Sequence, residues 1–193
     1  MTAIDRARHL AGRRLEKFLD EALSKHPEDF SSVYAVALEK APDSYVDYLD
    51  VSFSWNFQNA WAVHMARSAN KALTEESKWD PAEWVWHEDC PDQCYAGVAL
   101  FNGDNSTKEG GFEEDRSIQA QLMEEHQELS KMDLHILFVR DVFASVVDVF
   151  RHHKLTTSLG IADVPFQLYT PGCPNYGEHF WNVTRGWNRN AGG

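Results

Sequence analysis

The stretch Leu49-Asp50-Val51-Ser52-Phe53-Ser54-Trp55 decides the fold class. Apolar and polar residues alternate strictly along it, which is the period of a strand with one face buried and the other facing water. Upstream, Val33 to Leu38 is apolar at successive positions, as expected of an internal strand covered on both faces. Lys40-Ala41-Pro42-Asp43-Ser44 supplies a turn between the two, so they read as an antiparallel hairpin.

Helical periods flank that hairpin. Thr2-Ala3-Ile4-Asp5 offers a capping box, after which Ala7, Leu10 or Ala11, Leu15, Phe18 and Ala22 recur at helical spacing up to about Lys25, where His26-Pro27 stops the helix. Arg6, Arg13, Arg14 and Lys17 occupy its other face among Glu16, Asp20 and Glu21, and read as solvated. After the hairpin, Asn56 is placed to cap a second helix with the face Phe57, Ala60, Trp61, His64, Met65, Ala69 and Leu73.

Next comes the densest aromatic block, Trp79-Asp80-Pro81-Ala82-Glu83-Trp84-Val85-Trp86, closed by His87-Glu88-Asp89-Cys90. Asp80 fits an N-cap ahead of Pro81, and a helical turn begun there points Trp79 and Trp86 the same way. A buried indole removes on the order of 150–250 Å² of surface, so the block reads first as a core seam locking sheet to helix, with Trp79, Pro81, Glu83, Trp84 and Trp86 as its motif. An exposed hot spot for another protein is the alternative.

Downstream, Tyr95 to Phe101 reads as a strand ending at an Asn102-Gly103 turn. The longest periodic segment follows: Ile118, Leu122, Leu129, Met132, Ile136, Val139, Phe143, Val146 and Phe150 step by three and four, with Glu125 in the missing slot. It is one long helix, or two with a break near Ser130 to Asp133, and its second half is apolar nearly all round and therefore central. Gly160 marks a helix stop, and Val164 to Tyr169 is a strand that Pro165 pushes toward a strand start or a sheet edge. Residues 1–170 thus read as one α+β domain, an antiparallel sheet of three to five strands with helices on one side. Residues 171–193 form a tail whose Tyr176, Phe180, Trp181 and Trp187 pack it back on the body, or pack across a two-fold in a homodimer.

The 193 residues carry a net charge of −12, and all of it lies in one segment. Residues 75 to 133 hold sixteen acids against four bases, while the rest holds fourteen of each. A field of that sign repels nucleic-acid phosphates and anionic lipid and steers in a basic partner. The surface carboxylates assigned to such contact are Glu83, Glu88, Asp89, Glu113, Glu114, Asp115, Glu124 and Glu125; a merely solubilising face is the plainer reading. No apolar run reaches membrane-spanning length, and three cysteines without an export signal point to reduced thiols and a cytoplasmic setting.

Chemistry-bearing clusters are sparse. His87, Cys90 and Cys94, with Cys173 and His179 downstream, are the one set with zinc-ligand residue types, although the spacing is not the usual C-x2-C and ordinary buried thiols explain it equally. Cys173 with His179 is the one thiol–imidazole pair, and nothing orients it. The sequence contains no G-x-S-x-G, no G-x-x-x-x-G-K phosphate loop, no G-x-G-x-x-G and no H-x-E with P-C-x-x-C. No cofactor is implied, and nothing here decides whether the chain is an enzyme.

Lys78-Trp79-Asp80-Pro81-Ala82-Glu83-Trp84, after a strand pair and a helix and before an acidic helix, resembles the W-x-P-x-E-W signature of a family of uncharacterised bacterial proteins, domain of unknown function 4303. The element order over roughly residues 5 to 170 is similar too; the long tail and the pair Cys90 and Cys94 depart from the family's pattern. The resemblance implies a small cytoplasmic α+β protein with no established catalytic residues, of the kind often found among immunity or accessory proteins of bacterial toxin systems. The expected function is non-enzymatic docking of a basic protein, such as a nuclease toxin whose cationic groove the acidic segment would occupy. The alternative is a zinc-binding or hydrolytic domain centred on His87, Cys90, Cys94 and Cys173.

Overall fold

The computed structural model describes residues 1–25, 33–39, 49–57, 95–104 and 112–169. They form α1 (Ala3–Lys25), β1 (Val33–Glu39), β2 (Asp50–Phe57), β3 (Tyr95–Asn102), α2 (Glu113–Glu125), α3 (Lys131–His152), α4 (Lys154–Ser158) and β4 (Phe166–Tyr169). The class is α+β, as the alternation in β2 indicated. The expected helix after β2, the tryptophan block and the tail lie outside the described residues.

The strands line up in the order β3-β2-β1-β4, with β1–β2 and β2–β3 antiparallel. To these three antiparallel strands β4 adds a fourth that runs parallel to β1, pairing Val36 with Phe166 and Leu38 with Leu168. Parallel neighbours need a long crossover, and the chain between β3 and β4 passes through three helices before returning alongside β1. Pro165 stands just ahead of β4, where its missing N–H breaks no ladder bond and its carbonyl accepts the Val36 N–H at 3.1 Å. One difference is that β2 runs on through Asn56 and Phe57, which the sequence reading assigned to a helix start.

One face of the sheet meets the helices. Val51, Phe53 and Trp55 of β2 are buried there with Val36 and Leu38 of β1 and Phe166 of β4. Phe18 of α1 stacks on Trp55 at 4.9 Å, Phe150 of α3 meets Phe53 at 5.6 Å and Phe166 at 5.4 Å, and Phe138 meets Phe101 at 5.0 Å. Each such ring pair is worth about 1 kcal/mol beyond the area it buries. On the other face Ala35, Ala37 and Ser54 are also buried, so β1 is covered on both sides. The register slips once between β2 and β3: Val51 pairs with Phe101 but Ser52 with Ala99, leaving Leu100 as a bulge. The bulge lets Leu100 and Phe101, adjacent in sequence, both be buried.

The helices begin and end where local chemistry directs. Thr2 and Asp5 form the expected capping box, with Thr2 Oγ1 accepting the Asp5 N–H at 3.2 Å and Asp5 Oδ2 accepting the Thr2 N–H at 3.3 Å. The long periodic segment resolves into two helices, and Ser130 caps the second by accepting the Asp133 N–H at 3.1 Å. At that break Met132 stands 40% exposed, while beyond it Val139, Phe143, Val146 and Phe150 of the stripe are buried together with Leu134, Phe138 and Val142, as expected of a central helix. Helix α3 packs along α1, and at Gly12 a Cβ would come within 3.3 Å of Val149 Cγ2, so glycine permits the close crossing. Beyond α4, Gly160 takes φ +73°, its N–H bonding the Thr157 carbonyl and the Ile161 N–H the Thr156 carbonyl, the paired bonds that end a helix at a left-handed glycine.

Gly103, just past β3, is held for a different reason. Its N–H donates to the Leu49 carbonyl at 2.8 Å, and an added Cβ would fall on Gln119 Oε1 and stand 3.2 Å from the Leu49 oxygen. Gln119 cannot step aside freely, because the same oxygen accepts the Leu49 N–H in a buried bond of 2.5 Å. Gly103→Ala is expected to cost about 2–3 kcal/mol by overpacking, and Gly160→Ala, where no atom crowds the added methyl, about 1 kcal/mol from backbone strain alone. Urea unfolding of the two variants checks the ranking; an equal loss would mean that Gln119 yields.

Candidate functional site

Helix α2 presents the described part of the acidic segment. Its N-cap, Phe112, makes no side-chain cap bond, so the first-turn acids Glu113, Glu114 and Asp115 are what complement the positive end of the helix. From there their roles diverge. Glu113 and Glu114 are exposed, and no described residue pairs with them. Asp115 points inward and is wholly buried.

The burial of Asp115 corrects its assignment to a docking face. Its Oδ2 accepts from Arg14 Nη1 at 2.6 Å and from the Asn102 N–H at 2.7 Å, and its Oδ1 accepts from Arg14 Nη2 at 2.9 Å. Arg14 Nη1 also donates to the Leu100 carbonyl at 3.1 Å, and its guanidinium lies 4.3 Å from the centre of the Phe112 ring. Arg14 is therefore not the solvated base that its charge-mixed surroundings suggested. Together the two residues tie α1, the end of β3 and the start of α2 to one another, and both oxygens of Asp115 are committed inside the molecule.

At the other end of α2, Glu124 is exposed and has no described partner, whereas Glu125 is exposed but engaged. Glu125 Oε2 accepts the Ala3 N–H at 2.9 Å, and its Oε1 accepts from Gln121 Nε2 at 2.6 Å. Gln121 in turn accepts from Arg6 Nη1 at 2.5 Å, so Arg6 is another base that the structure employs between α1 and α2. This explains the acid in the apolar stripe: Glu125 takes up an N–H that the first turn of α1 leaves open. The Ala3 N–H bond, then the Gln121 bond, hold the Glu125 carboxyl below its ordinary range; the Thr2 hydroxyl does the same for Asp5.

The outer face of α2 thus keeps Glu113, Glu114 and Glu124 as open carboxylates, the first and last about 16 Å apart at 1.5 Å per residue. Glu128, in the turn that follows, is also exposed, 3.7 Å from His126 Nδ1. Of the other sequence-assigned residues, Glu83, Glu88 and Asp89, the motif Trp79, Pro81, Trp84 and Trp86, and the ligand set His87, Cys90, Cys94 and Cys173 lie outside the described residues. Among the described residues no group of three or more His, Cys, Asp or Glu side chains is arranged to hold a metal ion, and no helix is long and apolar enough to cross a membrane. No protein-family model, curated protein or solved structure matches the chain.

Two predictions separate the roles of these acids. Asp115→Ala leaves the Arg14 guanidinium and the Asn102 N–H without their acceptor and is expected to cost about 3 kcal/mol, whereas Glu113→Gln, Glu114→Gln and Glu124→Gln each stay within about 0.5 kcal/mol. Chemical denaturation of the four variants checks the contrast. The second concerns pH: Asp5 and Glu125 are more acidic folded than unfolded, so their contribution is complete above their ordinary values of 3.8 and 4.5 and is lost as pH falls below them. Thermal melts between about pH 6 and pH 3 should fall at the acid end, and less steeply for Glu125→Gln than for the parent.

Proposed function

We propose that this chain is a non-enzymatic protein-binding protein whose acidic middle third docks a basic partner, in the manner of an immunity protein covering a cationic toxin. One observation carries the reading: the whole net charge of −12 falls between residues 75 and 133, the rest of the chain being balanced. The open carboxylates Glu113, Glu114 and Glu124 on the outer face of α2 support it, since they are exposed and free of described partners. The resemblance of Trp79-Asp80-Pro81-Ala82-Glu83-Trp84 to the domain of unknown function 4303 signature agrees with an accessory protein of this kind.

The mechanism is long-range attraction followed by local pairing. Clustered charge raises the rate at which an oppositely charged surface arrives and selects against partners of like sign. Because surface charges more than about 8 Å apart are screened at physiological ionic strength, such docking weakens as salt rises.

Affinity capture from the native host at low and high salt tests this. A partner that is held at about 0.05 M salt, released by about 0.5 M, and lost by the charge-reversed variant E113K/E114K/E124K is the expected result. Capture that ignores both salt and charge reversal would overturn the electrostatic mechanism.

A further inference from the structure

We infer that the corner where α2 ends and α3 begins is the seat of a basic amphipathic helix of the partner, an inference that rests on the docking reading above and narrows it to one chemistry. Four large hydrophobic side chains stand exposed among the described residues: Met1, Phe112, Met123 and Met132. The Arg14 guanidinium accounts for Phe112. Met123 and Met132, 38% and 40% exposed, flank the Glu125–Ser130 connection within one helical turn on either side. Met1, 85% exposed, stands at the same end of the helical layer, because Glu125 holds the Ala3 N–H.

Carboxylates neighbour these thioethers along the chain. Glu124, Glu125, Glu128 and Asp133 are exposed around the connection, against the ammonium groups of Lys131 and of the Met1 N-terminus. Unbranched, polarisable methionine adapts to apolar side chains of varied shape, and an acidic margin selects cations beside them. A helix with an apolar stripe and Lys or Arg on its flanks satisfies both requirements at once. A bare polycation would leave the methionines wet, and an anionic lipid surface would be repelled.

The test uses the full chain and a synthetic Leu/Lys amphipathic peptide of roughly 18 residues, five helical turns, against a scrambled peptide of identical composition. With the methionine methyls labelled with carbon-13, the amphipathic peptide should bind about tenfold tighter than the scrambled one, the advantage that burying methionine-sized apolar area confers, and should shift the Met123 and Met132 resonances. The M123S/M132S variant should lose that preference yet retain weak, salt-sensitive binding of both peptides. If both peptides bind alike and the methyl signals stay in place, this inference falls while the docking reading stands; if neither binds at low salt, both fall. Self-association through this corner, abolished in M123S/M132S, would make the occupant a second copy of the chain and would likewise overturn the inference.

Discussion

A carboxylate is tolerated inside a protein only where charge and hydrogen bonds meet both of its oxygens, and Asp115 draws those contacts from three elements at once. Arg14 on α1 grips it with two nitrogens, the Asn102 N–H at the end of β3 adds a third bond, and Asp115 itself sits in the first turn of α2. Apolar burial supplies most of the drive to fold but has no direction, so it would tolerate α1 sliding along the sheet. The clasp does not: a shift of one residue on any of the three elements leaves a buried charge unmet, at a cost of several kcal/mol. Its worth lies in the arrangement it selects more than in net stability, and the bulge at Leu100 brings that residue's carbonyl to the same guanidinium.

Much of this architecture is written locally in the chain. The alternation of Leu49 to Trp55, the Thr2–Asp5 capping box, the break at Ser130 and the glycine stop at 160 each depend on neighbours within a few residues, and each can be read from spacing alone. What escaped reading depends on residues far apart in sequence. Arg14 and Asp115 looked like members of mixed and acidic surface runs, because a charged residue carries no mark of whether its counterpart 101 positions away will meet it. Glu125 did leave a trace, as the one acid inside an apolar stripe. The direction of β4 left none, since the period of a strand is the same in either orientation.

The acids of α2 turn out to do separate jobs. Asp115 joins elements, Glu125 closes the first turn of α1, and Glu113, Glu114 and Glu124 remain toward water. A count of charges along a sequence adds these together, yet only the last group is available to anything outside the molecule. The same division sharpens the electrostatic argument, because the carboxylates with structural duties lie beside the open ones and add to their field without needing to be touched.

The parallel β1–β4 pair has a consequence for how the molecule assembles. Val36 meets Phe166 across a separation of 130 residues, and the chain between them includes α2, α3 and α4. Closing so long a loop loses entropy that the four residues of β4 cannot recover by themselves, and the helices between the two strands shorten the distance the chain has to span. The hairpin partners β1 and β2 are under no such constraint. The two edges of β1 thus make different demands on the chain: its antiparallel neighbour is near in sequence, whereas its parallel neighbour depends on the helical layer that lies between.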